Sequence, residues 1–158
     1  MDINPDYLAP CGLYCGVCAI LQATRDDNQK FKERLVGVYR GNLPGLENLR
    51  PEDIHCRGCL SEEPFIYCRE CAIKDCTKSK KIKGCHECDD FPCSLIEDFP
   101  IPVGKRVILR AIPYWRQVGT EKWVRDEEAR YNCPNCGHSL FRGAKRCNRC
   151  KTEVDLDG

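Results

Sequence analysis

The chain has 158 residues, fifteen of them cysteines, and a formal net charge of +1. That length fits one ordinary domain or two small ones, and the near-zero charge excludes a whole-body attraction to nucleic acid. No run of roughly 18 apolar residues occurs, so no membrane span is expected, and Met1 to Pro10 (MDINPDYLAP) carry no secretory pattern, which points to the cytoplasm.

The hydrophobic fraction of 42% includes those fifteen cysteines, and one Met, two Trp and five Phe leave little bulky apolar material. A small domain with a thin core needs a staple. Six C-x-x-C pairs provide one: Cys15/Cys18, Cys56/Cys59, Cys68/Cys71, Cys85/Cys88, Cys133/Cys136 and Cys147/Cys150. That spacing aims two thiolates at one ion, and the odd cysteine count disfavours a disulfide framework. If all fifteen ligate around four zinc ions, the charge falls to roughly −6, because coordinating thiols lose their protons.

Residues 1–99 form a cysteine-rich multi-metal region that opens with Cys11, Cys15 and Cys18. Phe31, Leu35, Val38 and Tyr39 then fall on one face of a core helix, with Asp27 as its cap and Gly41 after its end. Residues 42–51 read as loop. Cys56, Cys59, Cys68, Cys71, Cys76, Cys85, Cys88 and Cys93 follow. Eleven thiolates fall one short of three four-cysteine sites, so a histidine (His55 or His86) completes one site, or one position stays open. The simplest partition joins Cys56/Cys59 to Cys68/Cys71 and groups Cys76, Cys85, Cys88 and Cys93. Interleaved pairings that return Cys76 or Cys93 to the leading triplet are equally lawful. Glu87, Asp89 and Asp90 read as solvated loop.

Residues 100–131 lack cysteine and form a helical connector. A stiff Phe-Pro-Ile-Pro-Val-Gly segment at 99–104 precedes a helical pattern of Val107, Ile108, Ala111, Ile112 and Trp115, which Pro113 is expected to kink or divide. Gly119 ends it, and Thr120 caps a second helix whose apolar side is Trp123, Val124 and Tyr131. These aromatics are expected to pack on a neighbouring module rather than stack on bases.

Residues 132–158 carry Cys133-Pro-Asn-Cys136-Gly-His and Cys147-Asn-Arg-Cys150-Lys, two knuckles with the spacing of a closed four-cysteine zinc site. Gly137 suits the positive φ of a knuckle turn. The segment resembles the zinc-ribbon family over residues 132–151. Arg142, Lys145, Arg146, Arg149 and Lys151 either touch phosphates or offset the charge of the metal centre.

Cys11-Gly-Leu-Tyr-Cys15-Gly-Val-Cys18, Cys56-Arg-Gly-Cys59, Cys68-Arg-Glu-Cys71-Ala-Ile-Lys-Asp-Cys76, Lys83-Gly84 and Cys85-His-Glu-Cys88-Asp-Asp-Phe-Pro-Cys93 resemble a cysteine-rich prokaryotic family of domains of unknown function. The resemblance covers about residues 8–99. Members often append a segment similar to Arg116 to Tyr131 and then a zinc ribbon. The resemblance implies a prokaryotic cytoplasmic origin and no activity.

The expected fold is a small metal-stabilised α+β protein: an irregular cysteine-knuckle domain with helices, a helical connector and a C-terminal zinc ribbon. No Gly-rich phosphate loop, G-x-S-x-G or H-E-x-x-H occurs, and three histidines are few for acid–base work. No catalytic residue is assigned. C-x₃-C-x₂-C matches the spacing of radical iron–sulfur enzymes, but the region is too short for their barrel. The leading reading is a structural or interaction protein binding about four zinc ions, with a protein partner or, through the ribbon, nucleic acid. The alternative is a redox or sulfur-handling protein with an iron–sulfur cluster or open metal position at the N-terminal cysteines.

Overall fold

The computed structural model describes residues 2–157. Six α-helices occur among them: α1 (Ala19–Arg25), α2 (Gln29–Asn42), α3 (Ala72–Lys80), α4 (Ser94–Glu97), α5 (Pro102–Val118) and α6 (Thr120–Arg130). Short 3₁₀ turns begin at or run into several knuckles, as at Cys15–Val17, Ile66–Cys68 and Cys85–Glu87. The β component is confined to two isolated antiparallel bridges, Asn132 with Ser139 and Arg146 with Glu153. The protein is therefore small and mostly helical, with a cysteine cluster at its C-terminal end.

Several local expectations are corrected. The cap of α2 is Asn28, whose side chain accepts from the Phe31 amide, while Asp27 takes a positive φ of 47°. Gly41 lies inside the helix. Phe31, Leu35 and Tyr39 face the core as expected, but Val38 is 53% exposed and Val36 is buried in its place. The preceding helix, α1, was not expected. Nor does Pro113 divide α5, which runs unbroken from Pro102 to Val118. Proline at its first position leaves no amide unpaired there, and Pro113 stands on the exposed side, where water solvates the carbonyl left without a donor. Thr120 begins α6, and its hydroxyl accepts from the Trp115 indole at 2.9 Å instead of capping the helix.

The apolar interior is larger than composition suggests. The inner face of α5 (Val107, Ile108, Ala111, Ile112 and Trp115) meets Trp123, Val124 and Tyr131 from α6 and the following turn. Tyr14, Val17, Ile73, Cys85 and Ile96 complete that cluster, so the helices between the cysteine-rich segments pack directly under two knuckles. Trp115 and Trp123 stack at 4.0 Å, and Tyr14 meets Trp123 edge-on at 5.8 Å. A second cluster joins α1 and α2 to Leu43, Leu46, Leu49, Ile54, Cys56 and Phe65. A third holds Cys133, Leu140, Ala144, Cys147 and Val154.

The C-terminal segment is docked on the first cysteine triplet. The Arg142 amide donates to the Val17 carbonyl at 2.8 Å, and Phe141 packs against Phe31 with ring centres 5.0 Å apart.

Candidate metal centre

The two C-terminal knuckles repeat one hydrogen-bond plan at a fixed offset. The Cys133 amide donates to the His138 carbonyl and the Cys147 amide to that of Thr152. Behind each second cysteine, Gly137 and Lys151 return their amides to the carbonyls of Cys133 and Cys147, and both residues have positive φ, 76° and 66°. These turns aim all four sulfurs inward.

The ligand atoms of Cys133, Cys136, Cys147 and Cys150 all lie within 4.8 Å of one another. Cys133 and Cys150 sulfurs are 3.6 Å apart, and those of Cys136 and Cys147 3.7 Å. A tetrahedral zinc–thiolate centre with bonds near 2.3 Å has sulfur–sulfur edges of about 3.8 Å. A disulfide would need about 2.05 Å. All fifteen cysteines are free thiols. The C-terminal four thus fit a tetrahedral ion. Hydrogen bonding from the Asn135 side chain and from Thr152 holds the Cys150 thiol down at about 5, and the Cys150 amide lowers that of Cys147. Cys147 and Cys150 are thus biased toward the ionised form that ligates, while Cys136 is raised to about 11, the backbone hydrogen bond at His138 being outweighed by desolvation and by its sulfur neighbours.

Among the described residues no other three metal-binding side chains converge as closely. The eleven N-terminal cysteines form two looser groups. Cys76, Cys85, Cys88 and Cys93 surround a cavity of about 20 Å³ closed by Ile73, Phe91 and Ile96. That is room for one water-sized sphere. The Arg116 guanidinium clamps this knuckle by donating to the carbonyls of His86 at 2.9 Å and Cys88 at 2.7 Å. Lys80 Nζ reaches Cys88 Sγ at 3.2 Å and Asp90 at 2.8 Å.

The other seven cysteines gather where the triplet meets the knuckles Cys56/Cys59 and Cys68/Cys71. The Cys59 amide donates to Cys15 Sγ at 3.3 Å, joining segments 44 residues apart. Burial pushes Cys11 up to about 12 and Cys59 to about 11, with neighbouring thiols adding to the rise, and drives Cys15 well above its ordinary value. Buried sulfurs that crowd one another in this way cannot all ionise unless a cation compensates them.

Neither candidate histidine points at these groups. His55 Nε2 lies 3.3 Å from Glu63 on the surface. The His86 ring stacks on Trp115 at 3.6 Å, with Nδ1 buried and unpartnered and Nε2 3.7 Å from Glu87. Asp90 is engaged by Lys80. Residues not singled out from the sequence are Lys74, Lys80, Arg116 and Tyr14. A charged side chain in a knuckle gives no periodic signal that it turns inward.

The order of these knuckles from Cys11 to Cys93 decides the relationship. The chain belongs to the DUF3795 family. The family's sequence model, described as a protein of unknown function, matches residues 7–98. No curated protein and no solved structure matches the chain. The DUF3795 match spans both N-terminal thiol groups and stops before α5, so the Trp115–Trp123 stack and the C-terminal four lie outside it.

Proposed function

We propose that this DUF3795 protein is a non-catalytic multi-zinc protein that presents a metal-stapled surface to a protein partner in the cytoplasm. A cysteine-knuckle domain (1–99), a helical connector (100–131) and a zinc ribbon (132–158) form that scaffold. Cys133, Cys136, Cys147 and Cys150 hold one ion, and Cys76, Cys85, Cys88 and Cys93 hold another. The remaining ions belong to the seven-thiol group. The 3.6 and 3.7 Å sulfur edges carry the proposal, because they match a tetrathiolate ion with no position left for substrate.

A protein partner is favoured over nucleic acid by the state of the C-terminal cations. Arg142 turns inward to the Tyr14 carbonyl at 3.2 Å, and Arg146 lies 3.5 Å from Glu153. Lys151 donates to the Asn148 carbonyl on the surface, so two of the five cations, Arg142 and Lys151, are held to the protein's own backbone and a third, Arg146, faces a carboxylate.

Anaerobic purification followed by metal and sulfide analysis tests the metal. About four zinc ions per chain and no visible absorbance are expected. Iron, acid-labile sulfide and a brown colour would establish the redox alternative instead. A gel shift that weakens steeply with salt would replace the protein partner by nucleic acid.

A further inference from the structure

The fifteen free thiols differ in their access to solvent. Cys136 alone among them is exposed, while Cys133 and Cys147 of the same centre are 3% and 0% exposed. Contacts between sulfurs run across the two knuckles, from Cys136 to Cys147 at 3.7 Å and from Cys133 to Cys150 at 3.6 Å. One exposed sulfur is thus in contact with a buried one that belongs to the other knuckle. A disulfide needs about 2.05 Å, so a contraction of less than about 2 Å joins the pair.

A bound zinc ion keeps all four sulfurs as thiolates, whatever their acidity without it. A thiolate open to solvent is the form that peroxides oxidise, and a second sulfur within reach converts the product to a disulfide. Cys136 meets the first condition and Cys147 the second. The eleven N-terminal thiols are buried or half-buried and meet the same reagent less readily.

The segment between these two cysteines is also the one that docks on α1, α2 and the first cysteine triplet. It contains Leu140, whose carbonyl accepts from the Gln22 side chain, and Phe141, whose ring meets Phe31. Arg142 gives its amide to the Val17 carbonyl at 2.8 Å and its guanidinium to that of Tyr14 at 3.2 Å. None of these docking contacts passes through a sulfur. The ion closes this loop at both ends, and a Cys136–Cys147 disulfide closes it at the same two residues.

We propose that Cys136 is an oxidation site for hydroperoxides and that Cys147 resolves it, releasing the C-terminal ion while the docked loop stays closed. The Cys136 thiolate attacks a peroxide oxygen, the O–O bond breaks, and the leaving oxygen takes a proton to become water or an alcohol. The Cys147 thiolate then attacks the sulfenic acid on Cys136, the S–O bond breaks, and the departing hydroxide takes a second proton to become water. The two sulfurs lose two electrons and the peroxide gains them. Cys133 and Cys150 remain, two ligands where a closed zinc site needs four. The inference rests on the zinc reading above and adds a metal-releasing reaction to it.

The test treats the zinc-loaded full-length protein, freed of reductant, with hydrogen peroxide. Zinc release is followed with a coloured chelator, cross-links by mass spectrometry of an unreduced digest, and docking by hydrogen exchange of the Arg142 amide. About one zinc per chain is expected to leave first, with a Cys136–Cys147 cross-link and the Arg142 amide still protected. A thiol reductant with added zinc restores the centre. Cys136→His keeps a donor for zinc but removes the oxidisable sulfur, so the first release is expected to disappear. A first cross-link elsewhere, a first release unchanged in Cys136→His, or an Arg142 amide that exchanges freely overturns the proposal and leaves the zinc reading standing. A chain that carries no zinc before oxidation overturns both. Should Cys136→His not hold the metal, trapping of sulfenic acid with dimedone in the wild type decides: a trap on Cys136 supports the proposal, and a trap first on another cysteine overturns it.

Discussion

The side-chain amide of Gln22, in α1, donates to the main-chain carbonyl of Leu140 at 3.0 Å. This buried bond spans 118 residues of sequence and ties the C-terminal knuckles to the helix that follows the first cysteine triplet. Gln22→Ala leaves the Leu140 oxygen buried without a donor, and a loss of about 1–3 kcal/mol in urea unfolding is expected. For the same reason Cys133→Ser is expected to loosen α1 as well as the knuckles. Limited proteolysis that cuts only beyond Tyr131 would show the two regions to be independent.

Arg110 and Glu127 form a two-pronged ion pair between α5 and α6, with the Glu127 side chain only 2% exposed. Glu127→Ala strands the arginine beside the core, and a destabilisation of about 3 kcal/mol is expected. Glu121→Ala removes the exposed i,i+4 pair with Arg125 and should cost no more than about 0.5 kcal/mol. Equal effects in thermal unfolding would mean that burial does not govern these pairs.

The face of α5 was legible in the sequence because five apolar residues keep helical spacing over more than two turns, and all five are buried. α1 was not legible, since its seven residues are too few to establish a period and they adjoin a metal knuckle. The C-terminal four cysteines were readable as a group because their partners are local. The meeting of Cys15 with Cys59 was not, because knuckle spacing specifies a turn and says nothing of which turns meet. Lys74 and Arg142 look like solvated cations in sequence, and only the packing of distant segments turns them inward.

His86 is held against Trp115, and burial lowers its pKa below the ordinary histidine value. Folding thus weakens proton binding by the ring, and the unfolded chain takes up the extra proton. Stability contributed by neutral His86 is complete above the unfolded-state pKa and declines as pH falls through and below it. His86→Phe keeps the stack and removes this proton. Comparing melting temperatures at pH 7.5 and pH 5.5 (about one unit either side of the ordinary value), the wild type is expected to lose more than the variant. An equal drop would remove His86 as the cause.

Gly137 and Lys151 hold equivalent turn positions with φ of 76° and 66°. Gly137→Ala is expected to destabilise by about 1 kcal/mol, and Lys151→Gly to relieve a strain of similar size. Chelator competition at the C-terminal centre reads both, as a weaker and a tighter hold on the metal respectively. The same sign for both substitutions would contradict the equivalence of the turns.

Both tryptophans of the chain belong to the single stack that begins at His86. Emission excited selectively at tryptophan, beyond the absorption of the six tyrosines, therefore originates at one spot, directly beneath the Cys85–Cys88 turn. Fluorescence will follow the opening of that turn and the parting of α5 from α6, while circular dichroism will sum all six helices. A titration in which the two signals separate would time the loss of one cysteine group against the rest of the molecule, without any attached dye.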